Sequence, residues 1–471
     1  MLIGRDEEVR KLTEALASEV SEFVAVYGRR RVGKTYLIRE VFDNQFAFYH
    51  TGIADIDRAE QIERFVRSLR RHDFPVKRRP SNWFAAFDLL EDGLARLPAG
   101  KKVVFIDELP WMETPKSNFV SALEAFWNGW ASARNDIVLV VCGSATSWMT
   151  DKIINARGGL HNRITRRILL EPFTLAECER FAVAKGIVAT RRQLLEYYMA
   201  MGGIPYYWNY VRKDRSPAQN LDAMFFAAKG DLRDEYGHLY ASLFKKPRRH
   251  IAIIESLATR KAGMTREELI RSTGLADNGA FGKALSELAE CGFVRRYRVP
   301  GKKTHDAVYQ LIDNFTLFHH RFLADLDAGE SVSWTAMQNT PAANVWRGLS
   351  FERVCLQHVE QIKKKLGISG MLTRQYAWRS LATTPGDGAQ IDLLIERADN
   401  AVNICEIKYS SGEYEIGKDE GGKMLNRRDR FVSETGFRGA AYLTFVTTCG
   451  VVHNAYWNDI QSEVTLDDLF V

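Results

Sequence analysis

Residues 23–42 read Phe-Val-Ala-Val-Tyr-Gly-Arg-Arg-Arg-Val-Gly-Lys-Thr-Tyr-Leu-Ile-Arg-Glu-Val-Phe. The first five form an unbroken apolar run, the pattern of a strand buried on both faces. Gly28, Arg29, Arg30, Arg31, Val32, Gly33, Lys34 and Thr35 then satisfy G-x-x-x-x-G-K-[ST]. Tyr36 leads into an amphipathic stretch with Leu37, Ile38, Val41 and Phe42. Strand, glycine loop and helix, in that order, is the setting in which such a loop cradles a phosphate chain. The glycines let the backbone close round the anion, and the amides at the helix start point towards it. On this reading residues 28–36 hold ATP. Lys34 reaches the β- and γ-phosphates, and the Thr35 hydroxyl binds Mg²⁺.

The chain around this loop is long enough for roughly three domains at 471 residues. Its hydrophobic fraction of 46% and charged fraction of 26% are those of an ordinary globular protein. A net charge of +6 permits a nucleic-acid partner without arguing for one. Six scattered cysteines form no C-x-x-C, so the expectation is reduced, buried thiols and no zinc site. The N-terminus is charged at once and no apolar run has the length of a membrane span. The expectation is therefore a cytoplasmic protein with no membrane partner.

Residues 5–20 have helical spacing, with Val9, Leu12, Leu16 and Val20 on one stripe. A short strand is expected at 46–49 and helices across 57–97. Val103-Val104-Phe105-Ile106 then runs into Asp107-Glu108, the pattern of a buried parallel strand whose carboxyl end leaves the sheet. Open α/β sheets bind ligands at that edge. Asp107 would hold Mg²⁺ through water, and Glu108 would orient or deprotonate the attacking water. A third buried strand, 137–142, ends at Ser144. Ser144 is a γ-phosphate or water contact, or a helix N-cap, and the sequence leaves both open. Downstream, Arg163 is the arginine best placed to stabilise transition-state charge, in cis or from a neighbouring copy in a homo-oligomer. Surface or DNA-facing charge is the alternative for it and for Arg157, Arg166 and Arg167.

Residues 174–213 are helical in pattern, interrupted by Gly202-Gly203-Ile204-Pro205. Helical runs at 248–258, 265–273 and 278–291 precede two strand-like runs joined by a Pro-Gly-Lys-Lys-Thr turn. That is the pattern of a winged helix. Its third helix, with Lys283, would read DNA, and Arg295, Arg296, Arg298, Lys302 and Lys303 would line the wing. A connection follows over 325–340.

In the last part, 345–366 reads as one helix with Val345, Leu349, Glu352, Leu356 and Val359 on a stripe. Residues 390–396 and 402–408 read as a hairpin. Glu406 and Lys408 lie on one face of its second strand, after Val402 and Ile404, so charges stand where the alternation calls for apolar residues. Asp392 and Glu406 together would bind Mg²⁺ and activate water against a phosphodiester. Lys408 would position that water, and Glu352 would complete the metal shell. A buried ion-pair cluster without activity is the alternative. Strand 440–446 adds a third member to the sheet. Lys418, Lys423, Arg427, Arg428 and Arg430 form a basic helical stretch able to track a nucleic-acid backbone.

The first half resembles the P-loop ATPases of a predicted-ATPase family of archaea and bacteria, related to the AAA+ and STAND ATPases. The residues that carry the likeness are Ile3-Gly4-Arg5, residues 28–35 and 103–108, Cys142-Gly143-Ser144, and Leu170-Glu171-Pro172-Phe173 with Glu177. Gly202-Gly203-Ile204-Pro205-Tyr206-Tyr207 extends it. The resemblance implies an ATPase core over 1–170 and a moving helical lid over 171–245, with Gly-Gly-x-Pro near the base. The winged helix spans 246–325. Residues 341–471 resemble the PD-(D/E)XK nuclease superfamily through Glu352, Asp392, Glu406 and Lys408. Gln390-Ile391 stands where that superfamily often has a Pro-Asp pair. The fold expected throughout is α/β. The function expected is ATP hydrolysis controlling an act on DNA, cleavage included. The rival expectation is a signalling switch or transcription regulator whose last domain is an inert scaffold.

Overall fold

Five short runs of β-branched and aromatic residues assemble into the first sheet. They are β1 (Glu22–Tyr27), β2 (Phe48–Thr51), β3 (Lys102–Asp107), β4 (Ile137–Gly143) and β5 (Arg166–Leu169). The strands are parallel in the order β2-β3-β4-β1-β5. Every residue of β3 and β4 is buried, as continuous apolar runs covered by helices on both faces must be. Phe23, Phe48, Phe65, Trp83, Phe87 and Phe119 dominate the core beside them. Helix Arg58–Arg71 starts at a capping box between Asp57 and Glu60, which satisfies two amides that would otherwise be orphaned.

This computed structural model describes residues 2–155, 159–244, 246–298, 307–326, 332–380 and 389–471. Arg157, Lys302, Lys303 and residues 327–331 of the expected connection lie outside them. The chain divides into two compact units, Met1–Pro172 and Phe173–Val471. The first is built on the parallel five-stranded sheet.

The second unit begins with helices Leu175–Ala184, Arg191–Met201 and Pro205–Trp208. Gly202, at φ +65°, ends the middle one. Helices Arg248–Ala258, Arg266–Thr273 and Gly279–Glu290 follow, with β6 (Met264–Thr265), β7 (Val294–Tyr297) and β8 (Val308–Leu311) in an antiparallel sheet of order β6-β8-β7. The last part has a sheet of order β13-β12-β11-β10-β9. Its strands are β9 (Thr373–Arg379), β10 (Gln390–Arg397), β11 (Ala401–Lys408), β12 (Ala440–Thr447) and β13 (Ser462–Val464). β9, β10 and β11 pair antiparallel, whereas β11, β12 and β13 pair parallel. Helix Lys418–Thr435 makes the crossover from β11 to β12.

Three local expectations are corrected. The first helix ends at Ala17, and Val20 lies beyond it and is exposed. The expected helix over 345–366 is two, Pro341–Gln357 and Val359–Lys365, broken at His358 with φ −114°. Its buried face runs through Trp346, Ser350, Phe351, Val354 and Cys355, and Val345 is exposed. The large aromatic rings set the phase, because they bury the most apolar area. All six cysteines are free, five of them buried and Cys449 exposed. Among the described residues no helix is long and apolar enough to cross a membrane.

Candidate functional site

The order β2-β3-β4-β1-β5 sets β4 between β3 and β1. The glycine loop that follows β1, Asp107 at the end of β3 and Ser144 after β4 therefore share one carboxyl edge. Two glycines shape the loop for different reasons. At Gly28 (φ +142°) a Cβ would stand 2.3 Å from the Leu170 carbonyl oxygen, so both space and backbone exclude a side chain. At Gly33 (φ +94°) the space is open and only the left-handed backbone requires glycine. Arg5, buried and itself at φ +67°, donates from Nη2 to the Glu171 carbonyl at 2.7 Å and to that of Val32 at 3.5 Å. It ties the loop to the segment after β5.

Lys34 is 5% exposed and its Nζ donates to the Gly28 and Arg29 carbonyls, both at 2.9 Å. Thr35 Oγ1 donates to Asp107 Oδ2 at 2.9 Å. Asp107 Oδ1 accepts from the Glu108 amide at 2.9 Å. Glu108 sits at φ +48°, a left-handed turn that swings its side chain out of the strand's alternation. Ser144 Oγ donates to Glu108 Oε1 at 2.9 Å. The four residues are thus linked in one hydrogen-bonded series that passes through the Glu108 backbone amide. Burial, with Asp107 next in weight, pushes the Cys142 thiol well up. The same two causes raise the Tyr49 phenol. The Asp107 carboxylate is 4% exposed and faces a low-dielectric surround.

The other loop positions differ in exposure. Arg29 and Val32 are buried, Arg31 is half-buried at φ +70°, and Arg30 and Tyr36 are exposed. Arg163 is exposed and its side chain makes no hydrogen bond or ion pair among the described residues. Arg166 instead pairs with Glu14 and Glu22. The paired Thr35 hydroxyl and Asp107 carboxylate are hard oxygen donors, the set a Mg²⁺ ion accepts. They fit that ion, and Gly28 and Gly33 leave the loop's backbone unobstructed by side chains. When bound, Mg²⁺ would neutralise phosphate charge at Thr35 and Asp107.

In the second unit Gly203 lies where a Cβ would meet the Phe173 carbonyl oxygen at 1.9 Å. Its own carbonyl accepts from the Phe173 amide at 2.6 Å. Gly-Gly-x-Pro is therefore a helix-ending turn packed on the Pro-Phe element.

The acids of the last sheet fall into two sets. Lys261 Nζ lies 2.6 Å from Glu352 Oε1 and 3.3 Å from Asp392 Oδ2, and Gln390 donates to Asp392 at 2.6 Å. Glu406 pairs with Lys408 at 2.9 Å and with Arg427 at 2.7 Å, and Lys408 also reaches Glu420 at 2.9 Å. The cause of the separation is an irregularity in β10. Pairing with β9 shifts between Ile391 and Leu394, so both side chains enter the core packed under helix Lys418–Thr435. Asp392 is thereby turned towards helix Pro341–Gln357, while Glu406 faces helix Lys418–Thr435. Among the described residues no hydrogen bond or ion pair joins the sets, and no group of three His, Cys, Asp or Glu side chains is arranged to hold a metal. Burial, then Asp392, pushes the Glu352 carboxyl up to about 7. Glu406 and Glu420 outweigh burial at Lys408 and hold its ammonium charged.

Sequence reasoning missed Lys261, Arg353 and Glu420. Arg353 Nη2 donates to the Lys261 carbonyl at 2.8 Å, and its Nη1 stands 3.6 Å from Glu352. A buried Glu beside a buried Arg in one helix was the available signal. Two residues expected to face nucleic acid are spoken for. Arg295 turns inward, donating to Gln310 at 2.8 Å and to the Asp392 carbonyl at 3.3 Å. Arg427 is held by Glu406. Burial lowers the Arg295 guanidinium to about 10.

Residues 2–211 match the model of a family described as an ATPase domain predominantly from Archaea. An uncharacterised protein of Methanocaldococcus jannaschii is 24% identical over 422 residues, 87% of this chain and 88% of that one. The Walker-type ATPase of Pyrococcus abyssi is similar in structure at a TM-score of 0.49 and 17% identity, over 68% of this chain and 96% of that one. The ORC2 protein of Aeropyrum pernix, in ADPNP–ADP complexes, gives a TM-score of 0.41 and 14% identity over 67% of this chain and 91% of that one. With its parallel sheet, its phosphate-binding loop and its match to that family model, the segment 2–211 carries a P-loop ATPase domain.

Proposed function

We propose that the first unit binds Mg²⁺ and ATP and hydrolyses the nucleotide, and that the second unit converts nucleotide state into an act on DNA. The observation that carries the first half is the chain from Thr35 through Asp107 and Glu108 to Ser144. In this reading Lys34 binds the β- and γ-phosphates, and Thr35 and Asp107 hold the metal. Glu108 takes a proton from the attacking water at its carboxylate, and Ser144 aims that carboxylate. Arg163, exposed, would serve a neighbouring copy in a homo-oligomer. Steady-state phosphate release by the wild type and by Lys34→Ala tests it. Turnover lost in the variant is expected, and turnover retained overturns it.

Beyond the ATPase core we assign residues 171–245 to a lid, 246–325 to a winged helix and 341–471 to a PD-(D/E)XK-like fold. Three helices with a hairpin, and a β-meander continued by two parallel strands, support this division. A metal-dependent cut needs Asp392 and Glu406 at one ion. The β10 irregularity sets them in separate ion-pair clusters, each already holding cations. The last domain is therefore read as a non-cleaving scaffold, and the protein as an ATP-driven switch or regulator on DNA. Incubating the protein with single-stranded, duplex and branched DNA in Mg²⁺ or Mn²⁺ decides this. Intact substrate agrees with the scaffold reading. Cleavage that disappears in Asp392→Ala and in Lys408→Ala restores the nuclease.

A further inference from the structure

The segment 248–311 distributes its cations unevenly. Arg260 pairs with Glu268 at 2.9 Å, Arg266 with Asp277 at 2.5 Å, and Lys283 and Arg271 with Glu287 and Glu267 at 3.8 and 3.9 Å. All of these partners belong to the segment itself. Lys261 and Arg295 instead reach the last sheet and its first helix. The Lys261 ammonium lies 2.6 Å from Glu352 and 3.3 Å from Asp392. Arg295 donates to the Asp392 carbonyl at 3.3 Å. The turn that carries Lys261 is fixed through its carbonyl, which accepts from Gln310 at 2.7 Å and Arg353 at 2.8 Å.

Two carboxylates converging on one ammonium offer the anionic acceptor oxygens that a phosphate diester offers. We propose that Glu352 and Asp392 are an internal substitute for nucleic-acid phosphate: while the segment is docked they occupy Lys261, and a DNA backbone gains that contact only by displacing them. The inference rests on the reading of this segment as the DNA-binding module, and it adds how that module is held off. Removing both carboxylates leaves Lys261, Arg295 and Arg353 facing one another without a counter-charge, and like charges in a partly buried setting repel. Tyr297 stays packed in the core with Tyr376, Trp378 and Ile391. The segment then opens locally and does not unfold.

The test is the full chain carrying Glu352→Gln with Asp392→Asn, compared with wild type and with Glu413→Gln/Glu415→Gln, a matched change of charge at exposed positions. Amide exchange over Met264–Thr265 and Val294–Tyr297 should quicken by about tenfold in the acid variant. Affinity for a labelled duplex at about 0.1 M salt should tighten by about tenfold, and the log–log salt slope should steepen by about 1, for the freed Lys261. Adding Lys261→Met should remove that steepening. Asp392→Asn alone keeps the Lys261–Glu352 pair and should steepen the slope by less than the double variant does. Affinity and slope equal to those of the matched control overturn the inference while leaving DNA binding intact. Exchange that quickens while no form of the protein binds duplex overturns the reading of the segment as a DNA module, and the phosphate mimicry with it.

Discussion

Thr35 Oγ1 donates to Asp107 Oδ2 across 2.9 Å, although 72 positions separate them in the chain. The hydroxyl of a loop and the carboxylate of a strand end meet because β4 alone stands between β1 and β3. That pairing prepares two oxygen ligands at one place, and the first prediction follows from the lysine beside it. Lys34→Ala removes a charged donor, and hydrogen bonds to charged groups contribute about 1.5–3 kcal/mol. ATP affinity, read by fluorescent-nucleotide titration, should fall by about 10- to 100-fold.

Gly28 and Gly33 separate space from backbone conformation. Gly28→Ala drives a Cβ into the Leu170 carbonyl at φ +142° and should cost about 2–4 kcal/mol in urea unfolding. Gly33→Ala meets no atom within 4 Å and should cost about 1–2 kcal/mol, from the left-handed backbone alone. Equal costs at the two sites would contradict the close approach to Leu170.

In the proposed mechanism Ser144 acts through Glu108. Ser144→Ala frees the carboxylate that its hydroxyl holds at 2.9 Å. The rate constant kcat should drop about tenfold or more, with the nucleotide Kd unchanged. A loss of affinity equal to the loss of rate would assign Ser144 to phosphate binding instead.

His358 gives a pH dependence with a definite sign. It is fully buried, accepts from the Leu175 amide at 3.0 Å through Nε2, and donates from Nδ1 to the Val354 carbonyl at 2.8 Å. Burial lowers its pKa from 6.5 to about 4. A base kept neutral in the fold binds fewer protons there than in the unfolded chain. Its share of stability is therefore whole above pH 6.5 and falls as pH drops towards 4, by about 3 kcal/mol over the window. His358→Gln can keep an acceptor for the Leu175 amide without a titrating ring. It should flatten the fall in unfolding temperature between pH 6.5 and 4.5.

The nucleotide site was legible because its information is contiguous. Residues 28–35 name their own chemistry, and an apolar strand ending in Asp107 and Glu108 needs only a neighbouring strand to complete the site. Ser144 left two readings open, and its bond to Glu108 was in neither of them. Three strands of the last sheet, β10, β11 and β12, were legible, but not β9, β13 or the faces. One shift of pairing between Ile391 and Leu394 turns Asp392 away from Glu406, and an alternation of residue types carries no mark of such a shift. Lys261 was invisible for another reason. It lies 91 positions from Glu352, in a turn with no motif. Arg295 reads as a surface cation by composition, and only the packing of its hairpin sends it inward. The phase of helix Pro341–Gln357 followed Trp346 and Phe351, not the aliphatic stripe.

The most direct test of hydrolysis at this site is the nucleotide content of Glu108→Gln after a single turnover. The protein is mixed in excess with labelled ATP and Mg²⁺ and quenched over time beside the wild type. The account predicts that the wild type converts its bound ATP to ADP and phosphate, while the variant binds ATP as tightly and holds it unhydrolysed, at least about 100-fold slower. Conversion by Glu108→Gln at the wild-type rate would contradict it.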